Sequence, residues 1–393
     1  MFTLTLLAGC LVGLNPKNIP TQEIYADDGE VRPFPGSVSF AVVGDTREAG
    51  PADRALARVP VAGAEAAIAK DVSRAVSAEG IRFVVLTGNM VSSSTTLGWK
   101  TFNRDWVDVL SSSELSESGA ERVRVIPTAG VSDHEGDEWL KGWGAAFPGA
   151  GADIGYNRVA SWYRFDLQSR GKTWRVLVLD SDKDHLGSRW DEQMAWIPKV
   201  LQEDTYDSLI VCMNQPLLTL ALKQPMNEGG GPKELMAAVE DASPVNALKV
   251  VFAGNSGANE AFLPGGKYGE MYVNALSGAP AATFARWGHA PDLGYADLRL
   301  ESMYDLALLR NFDRWAEVKG YSEATIDRAR ARGSYQGFVG EYDAHSYPVQ
   351  GWWNVTISGD QLSLTFRALN PDNTLSDLHT FQLQGKEGWK IGS

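Results

Sequence analysis

Asp45, Asn89, Asp133 with His134, Asn214 and Asn255 each follow a short apolar run, and Arg47 lies two residues beyond the first of them. These residue types do distinct chemistry. Carboxylates and imidazoles ligate cations and move protons, amides offer both a donor and an acceptor, and guanidinium presents a planar fork to phosphate or carboxylate. Gathering such side chains from distant parts of a chain at the ends of buried strands is how folds commonly assemble a site. Each residue taken singly also has a plainer use, since Asp and Asn cap turns and helices and satisfy strand-end backbone groups.

The runs that must position them read as an alternation of strands and helices. Ser39–Val43 is apolar on both faces and stops at Gly44-Asp45, as a strand covered on both sides does. A helix follows over 61–79, with Ile68, Val72, Ala75 and Val76 at i, i+4, i+7 and i+8 and Gly80 as its stop. The strand Ile81–Thr87 then ends at Gly88-Asn89, which completes a βαβ unit. Further along come a helix over 97–110, a strand over 123–127 leading to Gly130 and the acidic cluster 132–138, and a hairpin of Ser161–Leu167 with Thr173–Leu179. A helix from about 190, a strand at 209–213 ending at Asn214, a helix near 232–241 and a strand at 248–253 ending at Gly254-Asn255 continue the pattern. Met271–Leu276, Trp352–Ile357 and Gln361–Arg367 supply later strands, and 283 to about 350 reads as an insertion with helices near 301–318 and 322–332. This layout predicts an α/β fold of two layered sheets flanked by helices.

The order of these blocks resembles the calcineurin-like metallophosphoesterases over roughly residues 38–367. Leu179-Asp180-Ser181, with Glu192-Gln193 and Trp196, also resembles a Leu-Asp-Ser strand end and a Gln-x-x-Trp helix of that family. The resemblance implies a four-layer α/β/β/α sandwich, here with a helical insertion, and a dinuclear metal centre that drives a hydroxide onto phosphorus. The family blocks are Gly-Asp-x-His, Gly-Asp, Gly-Asn-His-Asp/Glu, a lone His and Gly-His-x-His. In this chain Gly44-Asp45-Thr46-Arg47 keeps the aspartate and has Arg47 at the histidine; Asn89 replaces the bridging aspartate; Asn214 stands at the lone histidine; and Gly254-Asn255-Ser256-Gly257 lacks both histidines. The third block has two registers. Ungapped, Val131 and Ser132 stand at Asn and His. With two residues inserted after Gly130, Asp133-His134-Glu135 matches, and the resemblance makes His134 the general acid.

Losing the bridging carboxylate and the imidazoles removes what holds two dications together, and Arg47 adds a repulsion of several kcal/mol toward any cation beside it. Three readings follow. Arg47 with Asn89, Asn214 and Asn255 binds a phosphate-like or other anion without hydrolysing it. Alternatively, Asp45 and Asp133, with Glu135 and amide oxygens, hold one hard ion, Mg2+, Mn2+ or Ca2+, and weak phosphoester hydrolysis persists with His134. In the third, the polar residues serve a scaffold whose work is to bind a protein partner.

Composition bounds the setting. A net charge of −13 without a Lys/Arg-rich run excludes a nucleic-acid surface. The apolar start ending in Leu7-Ala8-Gly9-Cys10 resembles a bacterial lipobox, which makes 1–10 a lipoprotein-type leader with lipidation at Cys10, 11–36 a proline-dotted tether and 37–393 the folded domain. That predicts an envelope lipoprotein on the periplasmic or extracellular side, held to the membrane by its lipid alone. Cys212 then reads as a buried thiol. Gly229-Gly230-Gly231-Pro232-Lys233 lacks the spacing of a phosphate loop, Ser256 lacks the following helix of a nucleophile elbow, and His185, His289, His345 and His379 show no metal spacing. The thirteen tryptophans, Trp139, Trp143, Trp352 and Trp353 among them, read mainly as packing.

Overall fold

A strand that is apolar on both faces needs cover on both, and the architecture around Phe40 supplies it. The computed structural model describes residues 31–34, 36–47, 63–110, 124–136, 143, 161–203, 205–219, 231–263, 269–278, 335–339, 342–347, 349–370, 372–385 and 388–392. After the edge strand β1 (Val31–Phe34), β2 (Val38–Val43), α1 (Ala64–Glu79) and β3 (Ile81–Leu86) form the expected parallel βαβ unit. α1 buries Ile68, Val72, Ala75 and Val76, and Gly80 closes it in the left-handed region. The next helix begins at Thr95, whose side chain accepts from the Gly98 amide. It runs as α2 (Thr96–Phe102) through a π-helical turn, Asn103–Val107, into α3 (Asp108–Leu110). β4 (Arg124–Pro127) lies parallel to β3, and the single turn α4 (Val131–His134) follows it.

The hairpin β5 (Tyr163–Ser169) and β6 (Lys172–Val178) turns on Arg170 and Gly171, both with positive φ (48° and 75°), the mirror-image turn that matches strand twist. There follow α5 (Lys183–Leu186), α6 (Arg189–Gln202), β7 (Ser208–Cys212), α7 (Gly231–Ala242), β8 (Leu248–Ala253), β9 (Asn259–Leu263) and β10 (Met271–Asn274). The chain ends in β11 (Tyr335–Val339), β12 (Tyr342–Tyr347), β13 (Gly351–Ser358), β14 (Gln361–Leu369), β15 (Leu375–Gln384) and β16 (Trp389–Gly392). Among the described residues these strands form a nine-stranded sheet, β1-β5-β6-β7-β8-β10-β9-β12-β11, and a seven-stranded sheet, β16-β15-β14-β13-β2-β3-β4.

Period-two alternation decides which side chain enters which layer. From the nine-stranded sheet, Val176, Val178, Ile210, Cys212, Val250 and Phe252 pack into the core shared with Phe40, Phe83 and Val355 of the other sheet. Their neighbours Leu177, Leu179, Val211, Met213 and Val251 pack outward against Trp190, Ile197 and Leu201 of α6 and Leu235 and Val239 of α7. On the far side, α1 covers the seven-stranded sheet. The result is the four-layer α/β/β/α sandwich that the family resemblance implies.

Some boundaries differ. Residues 31–34, expected in the tether, pair parallel with β5, because their backbone completes an open sheet edge. The end of the expected insertion, 335–347, forms a β-hairpin that extends the nine-stranded sheet through β9; residues 283–334 lie outside the described residues. So do Cys10, His289 and Trp139. Trp352 and Trp353 are fully buried packing residues whose indole nitrogens donate to Asp71 Oδ2 and to the Asn274 carbonyl. Among the described residues no helix is long and apolar enough to cross a membrane.

Candidate functional site

The ends of β2, β3 and β8 share one local conformation. Asp45, Asn89 and Asn255, each directly after a glycine, have positive φ, at 51°, 54° and 55°. Asp and Asn enter this region more readily than other residues, yet each such residue still costs about 1–3 kcal/mol, which surrounding contacts must offset. Backbone bonds provide part of that. Asp45 N donates to the Gly88 carbonyl at 3.1 Å, Arg47 N to that of Asn89 at 3.1 Å, Gly254 N to that of Asn214 at 2.8 Å, and Gly278 N to that of Asp45 at 3.1 Å. Strand ends from both sheets are thereby drawn to one place.

The asparagines there form a hydrogen-bonded lattice, and backbone groups fix how each amide is turned. Val131 N can only donate, so Asn214 presents Oδ1 to it at 3.2 Å, and Asn214 Nδ2 donates to the Thr87 carbonyl at 2.7 Å. Ser132 N and Ser132 Oγ both donate to Asn89 Oδ1, at 3.0 and 2.9 Å. Asn89 Nδ2 is therefore the end that donates to Asn255 Oδ1 at 2.9 Å. Asn255 is left with Nδ2 as a buried donor that has no hydrogen-bond partner among the described residues. Beside this lattice the Asp45 carboxylate is fully buried, with Arg47 Nε 3.5 Å from its Oδ1 and the Arg47 side chain 11% exposed.

Asp133 and His134 have other partners. Asp133 Oδ1 accepts from the amides of Met90 and Val91 at 2.8 and 3.0 Å, and Oδ2 from that of Gly130 at 2.9 Å. Burial pushes its carboxyl up to about 7, against the pull of those amides and of His134. His134 is buried with both ring nitrogens engaged: Nε2 lies 3.0 Å from Asp180 Oδ2 and Nδ1 3.1 Å from Asp182 Oδ2. Burial alone would lower its pKa; Asp180 and Asp182 outweigh that and raise it to about 10. Asp182 caps α5, and His185 Nδ1 lies 2.7 Å from the same Oδ2. Burial opposes ionisation of Asp182, but His134 and His185 hold its carboxyl below the usual range.

The sequence expectations divide accordingly. Asp45, Arg47, Asn89, Asn214 and Asn255 do come together. Asp133, expected to ligate a metal with Asp45, instead clasps the loop after β3 through three backbone amides. His134, expected as a general acid, is enclosed between two carboxylates. The ungapped register of the third block fits the geometry, because Val131 and Ser132 are the residues that reach Asn214 and Asn89. Asn89 and Asn214, expected to hold an anion through their amides, already donate to neighbours. Ser132 and Asp180, placed in the sequence only by the family resemblance, gain roles here that their residue types do not announce, and Thr87 takes part through its carbonyl, which no side-chain pattern signals. Asp182 and His185, three residues apart across the cap of α5, carried a local signal that points to His134 only in three dimensions.

Compared with solved structures, the fold is similar to PhoD, with a TM-score of 0.51 and 12% identity over 93% of this chain and 73% of that chain. It is also similar to a purple acid phosphatase from yellow lupin (Lupinus luteus) seeds, with a TM-score of 0.50 and 15% identity over 89% of this chain and 55% of that one. The chain thus spans little more than half of the lupin protein. At these identities the likeness is one of fold, the metallophosphoesterase-like α/β/β/α sandwich. No protein-family model matches the sequence, and no curated protein matches it.

Proposed function

We propose that this chain is a metallophosphoesterase-fold protein that binds at its strand-end site without hydrolysing phosphoesters. The observation that carries the reading is the fixed orientation of Asn89. It stands where the resembled family has its bridging aspartate, and its amide is occupied at both ends, by Ser132 and by Asn255. It therefore offers neither the negative charge nor an unoccupied lone pair that a pair of dications requires. Asn214, at the position of an imidazole ligand, has its amide turned by one bond at each end, Oδ1 accepting from Val131 N and Nδ2 donating to the Thr87 carbonyl. A dication beside Asp45 would also meet the Arg47 guanidinium, a repulsion of several kcal/mol at a partly buried dielectric.

The groups that suit a ligand are Asn255 Nδ2 and the Arg47 guanidinium, both donors, so the occupant is a phosphate, sulfate or carboxylate group. That group belongs either to a small anion or to an acidic side chain of an envelope protein. The setting is part of the same proposal: a bacterial envelope lipoprotein held by lipid on Cys10, supported by Leu7-Ala8-Gly9-Cys10.

The test is an aryl phosphate monoester and diester assay with Mg2+, Mn2+ or Zn2+ added, beside phosphate and sulfate titrations followed by thermal unfolding. The expected result is no turnover above buffer and an anion-dependent rise in Tm that Arg47→Ala abolishes. Metal-dependent turnover that disappears in Asp45→Ala would overturn the proposal in favour of a hydrolase using a single hard ion.

A further inference from the structure

We propose that His134, Asp182 and His185 form a mononuclear site for a divalent transition cation of the zinc class, separate from the strand-end lattice. One donor atom from each residue lies within 4.8 Å of the other two. Asp182 Oδ2 is the common point, 3.1 Å from His134 Nδ1 and 2.7 Å from His185 Nδ1. Around a zinc-sized ion with bonds of about 2.0–2.1 Å, tetrahedral ligand atoms stand roughly 3.3 Å apart, so a small spreading of these three atoms admits the ion.

Local structure explains why the three residues meet. Asp182 is the N-cap of α5 and His185 the third residue of its single turn, which puts carboxylate and imidazole on the same side. The fold then lays His134, the last residue of α4, against that turn, with the two rings stacked at a centroid distance of 5.4 Å and 19° apart in plane.

A second, independent feature is the support behind His134. A metal-bound imidazole characteristically donates its other N–H to a carboxylate, which fixes the ring and raises its basicity. Asp180 Oδ2 stands 3.0 Å from His134 Nε2 in that position. Asp180 is itself held: Ser161 Oγ donates to its Oδ2, Asp182 N donates to its Oδ1 at 3.1 Å, and Gln193 bonds its backbone N–H and carbonyl, both at 2.8 Å. A buried carboxylate fixed by this many partners is a built support. Two imidazoles and one carboxylate favour zinc-class cations over Mg2+ or Ca2+, which prefer all-oxygen cages. His185, with its side chain 41% exposed, leaves an approach for the ion from solvent.

The experiment uses untagged full-length protein stripped with a chelator and then titrated with Zn2+ by calorimetry and with Co2+ by visible absorption. The expected result is one cation per chain, a Co2+ spectrum of a four- or five-coordinate nitrogen and oxygen site, and a rise in Tm on Zn2+ addition. His185→Ala, at an exposed position, is expected to weaken binding at least tenfold without unfolding the protein, and Asp180→Asn to weaken it about 10–100-fold through the imidazole it orients. Absence of Co2+ binding overturns the proposal. So does stoichiometric binding that His185→Ala leaves unchanged, or that Asp45→Ala abolishes.

Discussion

Replacing Gly130 with alanine tests whether the start of α4 is seated against the strand end at Asn89 as tightly as the lattice requires. The backbone conformation at Gly130, φ −110° and ψ 164°, is extended and open to any residue, so the substitution carries no torsional cost. The added Cβ, however, would lie 2.1 Å from Asn89 N, 2.6 Å from Asn89 Oδ1 and 2.9 Å from Gly88 C, all closer than the 3.4 Å at which ordinary contact begins. Its neighbours are backbone atoms and a locked amide, so α4 must retreat by more than an ångström. A shift of that size breaks the bonds of Ser132 N and Oγ to Asn89 and strains those of Val131 N to Asn214 and of Gly130 N to Asp133. At about 1 kcal/mol for each of the two bonds lost and about half that for each of the two strained, the expected destabilisation is about 3 kcal/mol. Urea unfolding measures it as a lower midpoint with unchanged slope. Gly171→Ala is the internal comparison: φ is +75° but nothing lies within 4 Å, so only backbone strain of about 1 kcal/mol applies. If Gly130→Ala costs no more than Gly171→Ala, the close seating of α4 is wrong.

Asn214→Ala orphans the Val131 amide and the Thr87 carbonyl, and a loss of about 2–4 kcal/mol is expected in the same urea assay. Asp166→Ala leaves the fully buried Arg175 guanidinium without the carboxylate that accepts from its Nε at 2.9 Å and Nη2 at 2.8 Å, for an expected cost of about 3–5 kcal/mol; an unchanged midpoint would refute that pair's role. In Cys10→Ser protein the remaining thiol, Cys212, is buried and pushed up by that burial, so an aromatic disulfide reagent should react only as the protein unfolds; rapid native labelling would contradict the packing. With a chelator present, His134 is expected to make stability pH-dependent. Its folded pKa, about 10, exceeds the ordinary 6.5, so the stability it contributes is complete below 6.5 and is lost as pH rises through 10. Unfolding midpoints across that range should fall more steeply than those of His134→Gln, and parallel curves would refute the assignment.

How much was legible in the sequence differs between scaffold and site. The alternation of Ile68, Val72, Ala75 and Val76 with the apolar runs at β2, β3, β7 and β8 was enough for the βαβ order, because burying a stripe or a two-faced strand is a local requirement that composition already expresses. The strands β1, β9, β11, β12, β15 and β16 lie outside the strands that the sequence predicts. They are mixed in polarity, and backbone pairing with a neighbouring strand of the sheet, rather than any pattern of their own, makes them strands.

For the site, sequence alone determined which residues stand at the strand ends and that carboxylate and imidazole positions are filled by amides and a guanidinium. Only tertiary structure decided what those residues do. The direction in which Asn89 and Asn214 turn depends on backbone groups of α4 and of Thr87, just past β3, and the choice of Ser132 over His134 depends on where α4 begins. That Asp182 and His185 converge on His134 depends on two loops from opposite sheets packing together. Hydrogen bonds and metal ligation act over about 2–3 Å, and no spacing along a chain specifies a distance of that size between segments brought together by the core.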